Sequence, residues 1–246
     1  MLVVIEENYA ELSQDAARRV ADLIKKKPDC VLGLATGSTP LGLYRELIRM
    51  HKEEGLDFSQ VTTFNLDEYV GLGDDHEQSY HFFMQKHLFN HINIKADSVN
   101  IPDGMAEDIE DACLRYEEKI EKLGGIDLQI LGIGANGHIA FNEPLSSLGS
   151  RTRIKTLTDK TRWDNAHFFN SIDEVPKFAI TMGVGTIMET RAILLLASGK
   201  GKAEAIVKTV EGPITAMVPA TMVQMHRDAV ILVDREAASL LSREWI

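Results

Sequence analysis

A doubly wound α/β fold, with a mostly parallel Rossmann-like sheet and helices on both faces, follows from three features of the sequence. Apolar runs rich in β-branched residues recur along the chain, and segments with helical spacing lie between most of them. No Pro/Gly/Ser-rich linker or block of charge divides the 246 residues. Near-continuous apolar strands must be covered on both faces, and parallel strands need right-handed crossovers. A single domain, residues 1–246, is the expectation.

The elements justify this in turn. Leu12, Ala16, Val20 and Ile24 step by four and make the buried stripe of a first helix, which Pro28 stops. VLGLA (31–35) is a strand; after it the turn Thr36-Gly37-Ser38-Thr39 brings Pro40 to the first position of a helix that buries Leu43 and Leu47. VTTFNL (61–66) is a second strand. Ile109, Cys113, Tyr116, Ile120 and Leu123 alternate steps of four and three, and Gly124-Gly125 closes that helix. LQILGIG (128–134), FAITMG (178–183), AILLLA (192–197) and AVILVD (229–234) complete the strands, and Ala203, Ile206, Val207 and Val210 form one more buried helical face. The stretch from Pro144 to about Lys177 lacks a sustained period, and irregular segments of that length are usually functional or disordered. Trp163, Phe168 and Phe169 favour a packed lid. Its Arg151, Arg153, Lys155, Lys160, Arg162 and Lys177 outnumber its acids, which suits a flap that closes on an anion.

Composition narrows the function. A net charge of −11 repels nucleic acid and anionic membrane surfaces, so an anionic ligand must be held by a local arrangement. No apolar run approaches the roughly 20 residues that span a bilayer, and the N-terminal stretch is acidic where a signal peptide would be basic. A cytoplasmic protein is expected. Cys30 and Cys113 lie far apart with no CxxC pair, and read as buried reduced thiols with no metal.

Ligands of open parallel sheets bind outside the carboxyl ends of the strands, which singles out four places. Thr36, Gly37, Ser38 and Thr39 point backbone N–H groups at one spot on a helix N-terminus: an anion site, or simply a cap at Thr39. Asp67 and Glu68 end another strand; they are a general base in a crevice, or solvated acids. Gly132, Gly134 and Gly137 match G-x-G-x-x-G, but only HIAFNE separates them from Pro144, so the long helix of a dinucleotide turn does not fit. The glycines permit close approach, with His138 and Glu143 on the following turn as acid–base groups or as a satisfied structural pair. Lys202, in a first helical turn, opposes the macrodipole and invites an anion, or is solvated like Lys200.

Together, ATGSTP, NLDEYVGL, GIGANGHIAFNEP, SRTRIKTL and SGKGKAEA resemble the glucosamine-6-phosphate deaminase family over nearly the whole chain. The resemblance implies conversion of D-glucosamine 6-phosphate and water to D-fructose 6-phosphate and ammonia, without redox cofactor or metal. It implies that Asp67 moves the proton from C2 to C1, and that His138, with Glu143 and Asn136, opens the pyranose ring. The phosphate is expected on Thr36–Thr39, Lys202 and His167. Two positions depart from the family. Many members have aspartate at Asn136, so a carboxylate is missing beside the imidazole and its protonation is expected to need a lower pH. An arginine usually stands at His167, so affinity is expected to fall as that histidine loses its proton unless Arg162 substitutes. Longer members are allosteric through residues resembling Ser147, Arg153 and Lys155 plus a C-terminal extension; here the chain stops at SLLSREWI, and no activation is expected. Oligomeric state stays open. The alternatives are a galactosamine-6-phosphate deaminase, a related isomerase or lactonase, and a sugar-phosphate-binding regulator without turnover.

Overall fold

Ten strands are present among the described residues: β1 (Leu2–Glu6), β2 (Val31–Leu34), β3 (Thr62–Asn65), β4 (Asp67–Tyr69), β5 (Val99–Asn100), β6 (Leu128–Leu131), β7 (Arg153–Thr156), β8 (Phe178–Thr181), β9 (Ile193–Ala197) and β10 (Ala229–Asp234). The structure is a computed structural model and describes residues 1–158, 162–163, 166, 169, 171–242 and 245. Seven strands form a parallel sheet in the order β1-β10-β9-β6-β2-β3-β5. The chain winds from β2 toward β5 on one side, then returns to β6 on the other side of β2 and winds toward β10. The order therefore reverses between β2 and β6, where such sheets open a crevice at their carboxyl ends.

Helix α1 (Tyr9–Lys26) starts at Asn8, whose side chain accepts the N–H groups of Ala10 and Glu11 at 2.9 and 3.1 Å. Its Leu12, Ala16, Val20 and Ile24 are buried as their spacing requires; the larger three contribute about 1.5–3 kcal/mol each. α1 packs on α2 (Leu41–Glu54), where Gly42 leaves room for Ser13: a Cβ there would lie 2.0 Å from the serine Oγ. α3 (Tyr80–His87) follows β4, one strand of the small sheet described next. α4 (Ile109–Lys122) sets Tyr116 edge-on to Phe64 of β3, and its hydroxyl donates to the Asn65 and Asn100 carbonyls at 2.7 and 3.2 Å. Gly124 and Gly125 end α4 with φ of 80° and 90°, while Leu123 lies exposed beyond the helix.

β8 does not join the parallel sheet. It lies in the middle of a three-stranded antiparallel sheet, β4-β8-β7. The handover is at Leu66, whose N–H donates to the Leu34 carbonyl while its own carbonyl accepts from Met182 N–H at 2.7 Å. β7 falls within the stretch read as aperiodic. With Arg153 and Lys155 in a four-residue edge strand, it shows no apolar run to detect. β1 is likewise a short edge strand, paired only with β10. The small sheet has its own core of Tyr69, Phe141, Leu157 and Ala179. Cys30 and Cys113 are buried and unpaired, and burial pushes their thiols up to about 12 and about 11. Among the described residues no helix is long and apolar enough to cross a membrane.

Candidate active site

The turn Thr36–Thr39 leaves β2 with Gly37 at φ 93°, a conformation that favours glycine. Thr39 is not the helix cap that its position suggests. Pro40 is the N-cap residue, in helical conformation, and its side chain has no polar atom to cap with; the turn is closed from outside. Tyr9 of α1 closes it: the hydroxyl accepts Gly42 N–H at 2.7 Å and lies 3.1 and 2.9 Å from the Ser38 and Thr39 carbonyls.

At the end of β3, Asp67 is 6 % exposed and opposes Thr181 of β8. Burial, and secondarily the charge of Glu68, pushes its carboxyl up to about 8. Glu68 is held elsewhere, accepting the Tyr69, Tyr80 and His81 N–H groups at 2.8, 2.9 and 3.0 Å, with the His81 ring at 2.9 Å. It anchors the start of α3, and thereby Tyr80. The two adjacent acids thus have different work.

No helix follows Gly137 after β6; the chain makes an isolated bridge between Ile139 and Asn142. Gly134 is needed by the chain itself, since a Cβ there would lie 2.1–2.3 Å from the His138 ring. Gly137 has φ 83° and faces Val218, whose Cγ1 would be 2.4 Å from an added Cβ. His138 Nδ1 is 2.7 Å from Asn136 Oδ1, Asn136 Nδ2 donates to Glu143 Oε2 at 2.8 Å, and Glu143 Oε1 is 3.6 Å from the imidazole. This order fixes a tautomer. The amide oxygen also accepts the His138 backbone N–H at 3.2 Å, so it faces the histidine; Nδ1 then carries the ring proton and Nε2 is the unprotonated nitrogen. The next polar residue, Asn142, is fully buried, donating to the Ile139 and Met182 carbonyls and accepting from Arg153 at 2.9 Å. Ala140 beside it adopts φ 51°, unusual without glycine. Desolvation lowers the Arg153 guanidinium from its ordinary value.

Lys202 enters from the end of β9 on a short turn, as the residue before the helix Ala203–Val210. Thr36–Thr39, Asp67, Tyr80, His138 and Lys202 line one cavity of about 550 Å³. Asn136 and Glu143 stand behind His138, outside that lining. A larger recess of about 650 Å³ lies beside α4, away from these strand ends, where Glu117 accepts from Thr152 and Thr186 and Arg151 pairs with Glu189. Among the described residues no group of three or more His, Cys, Asp or Glu is placed to hold a metal ion.

His167, expected at the phosphate, and the lid residues Lys160 and Phe168 lie outside the described residues. Arg162 donates to the Ile172 and Val175 carbonyls at 2.8 and 3.1 Å, so it ties the 144–177 segment to itself. Trp163 is 66 % exposed rather than packed, whereas Phe169 sits edge-on to Tyr69. Sequence reading missed Tyr80, which stacks on Phe141 with ring planes 9° apart, and Tyr9. Neither has a local signal, because each acts on residues far along the chain.

A model of the family described as glucosamine-6-phosphate isomerases/6-phosphogluconolactonase matches residues 5–232. The chain is 59% identical over 244 residues to glucosamine-6-phosphate deaminase of Thermoanaerobacter sp. (strain X514), covering 99% of this chain and 96% of that one. It is 54% identical over 241 residues to the deaminase of Clostridium perfringens (strain 13 / Type A), covering 98% and 100%. A solved monomeric glucosamine-6-phosphate deaminase superposes with a TM-score of 0.95 at 55% identity, over 98% of this chain and 100% of that one. The 6-phosphogluconolactonase of Trypanosoma brucei shares the fold, with a TM-score of 0.76 at 20% identity over 98% of each chain.

Proposed function

The chain belongs to the glucosamine-6-phosphate isomerase/6-phosphogluconolactonase family, and from that premise we propose that it deaminates D-glucosamine 6-phosphate in the cytoplasm. With water, the sugar gives D-fructose 6-phosphate and ammonia, a step of amino-sugar breakdown. The observation that carries this reading is that one cavity is lined by Asp67, His138, Thr36–Thr39 and Lys202 together.

In this reading the phosphate rests on the Thr36–Thr39 turn and Lys202, with His167 as a further contact. Gripping the distant phosphate brings C1 and C2 to the acid–base groups. His138 Nε2 takes the anomeric hydroxyl proton and delivers a proton to the ring oxygen, opening the pyranose. Glu143 and Asn136 hold the imidazole in the tautomer this needs. Asp67 then removes the C2 proton and returns it at C1 while the amine loses a proton and O1 gains one, leaving an imine at C2; water adds to that carbon and ammonia leaves, giving the ketone. No cofactor enters the scheme. Residues 144–177 act as a lid over the bound sugar.

A carboxyl held near 8 is a stronger base once ionised than an ordinary aspartate, which suits abstraction from carbon. The test is a coupled assay for fructose 6-phosphate and ammonia on the wild type and Asp67→Asn. Turnover is expected from the wild type and a loss of at least about a thousandfold in the variant, with affinity for the sugar phosphate retained. Equal turnover of the two proteins would refute the role of Asp67. Running galactosamine 6-phosphate beside the gluco epimer separates the nearest alternative.

A further inference from the structure

Lys202 reaches the cavity from a turn, and a turn holds a side chain only as firmly as its own backbone is held. The clamp comes from the neighbouring strand. Asp234, the last residue of β10, is 5 % exposed, and its carboxylate accepts the Ser198 hydroxyl at 2.5 Å. Gly199 N–H lies 3.1 Å from both oxygens, and Ala237 N–H donates at 2.8 Å. Gly199 has φ 88°, and its carbonyl accepts Lys202 N–H at 3.0 Å. A continuous path of bonds therefore runs from the carboxylate, through one glycine, to the backbone of the lysine.

An apolar side chain in this place would leave the Ser198 hydroxyl and the Gly199 and Ala237 N–H groups without this acceptor, so the carboxylate serves the fold as well as the turn. What the charge adds is direction: charge-assisted bonds fix the turn where neutral packing would leave it room to move. Asp234 does not line the cavity. Any effect on the reaction must then pass through the turn.

We infer that Asp234 is a positioning residue, holding the Ser198–Lys202 turn so that the Lys202 ammonium meets the phosphate of the sugar. The inference rests on the reading that Lys202 binds that phosphate. A loosened Lys202 weakens capture of the phosphate, while the Thr36–Thr39 turn still holds the bound sugar in place, so KM rises and kcat is spared.

The experiment compares Asp234→Asn, Lys202→Ala and the double variant, with steady-state kinetics on glucosamine 6-phosphate, competitive inhibition by inorganic phosphate, and thermal melts. Asp234→Asn is expected to raise KM about tenfold with kcat within about twofold, and to weaken phosphate inhibition in parallel. In the Lys202→Ala background the same change is expected to add nothing, because its route to the substrate is gone. Ser198→Ala, a milder cut in the same clamp, is expected to raise KM about threefold with the same dependence on Lys202, and it stands in if Asp234→Asn does not fold. Full additivity with Lys202→Ala, or a fall in kcat at constant KM, would overturn the inference. If Lys202→Ala raises KM and neither clamp variant does, the inference fails while the phosphate reading stands; if Lys202→Ala leaves KM unchanged, both fail.

Discussion

Asp67, Asn136 and Gly134 decide how the site works atom by atom. Because burial lifts the folded carboxyl of Asp67 far above 3.8, the folded state binds more protons than the unfolded one between that value and about 8. Stability contributed at this position is greatest at low pH and is lost as pH rises through that window. Asp67→Asn is therefore expected to melt higher than the wild type, by a margin that grows from pH 5 to pH 8; a margin independent of pH would show that the carboxyl is not displaced. In the wild type, kcat/KM is expected to climb with pH toward about 8 as the base ionises. Asn136→Asp would set a second carboxylate beside Glu143 and the imidazole, where the amide now bridges them at 2.8 and 2.7 Å. The added charge favours the imidazolium, so the His138 ring, followed by NMR, is expected to take up its proton at higher pH in the variant. An unmoved ring titration would show that the new carboxylate does not reach the imidazole. Gly134→Ala puts a methyl where the His138 ring lies, and a fall in kcat of about a hundredfold with little change in melting temperature is expected. Normal turnover would mean that the ring finds another place.

Elements, not residues, explain what was legible in advance. The strand ends at Thr36, Asp67, Gly132 and Lys202 could be found because each follows an apolar run, and the seven-stranded sheet brings β9, β6, β2 and β3 side by side. The antiparallel sheet was not legible. β4 is three residues long, β7 is charged, and β8 reads as an apolar strand whichever sheet it joins. The closure of the turn before α2 was hidden for a related reason: Tyr9 lies 33 residues before Gly42, and sequence windows see only neighbours. Tyr9→Phe deletes that acceptor and leaves Gly42 N–H unsatisfied. A loss of about 1–2 kcal/mol in urea unfolding is expected, with a rise in KM from the loosened turn; unchanged stability would show that water replaces the hydroxyl.

At the scale of the whole molecule, the cavity lies where two sheets with separate cores meet. The turn Thr36–Thr39 and Lys202 hang from the parallel sheet, Asp67 begins the antiparallel one, and the proposed sugar phosphate would touch both. A ligand that bridges them should protect the seam more than the far edge. Bound fructose 6-phosphate is expected to slow amide exchange in β4 and β8 more than in β1 and β10, and uniform slowing would argue against a bridging pose. The chain passes from one sheet to the other at Leu66, whose N–H belongs to the first and whose carbonyl belongs to the second. Because Leu66 commits its amide to one sheet and its carbonyl to the other, neither can slide along its strands without breaking one of these bonds, and Asp67, the next residue, keeps its register to both.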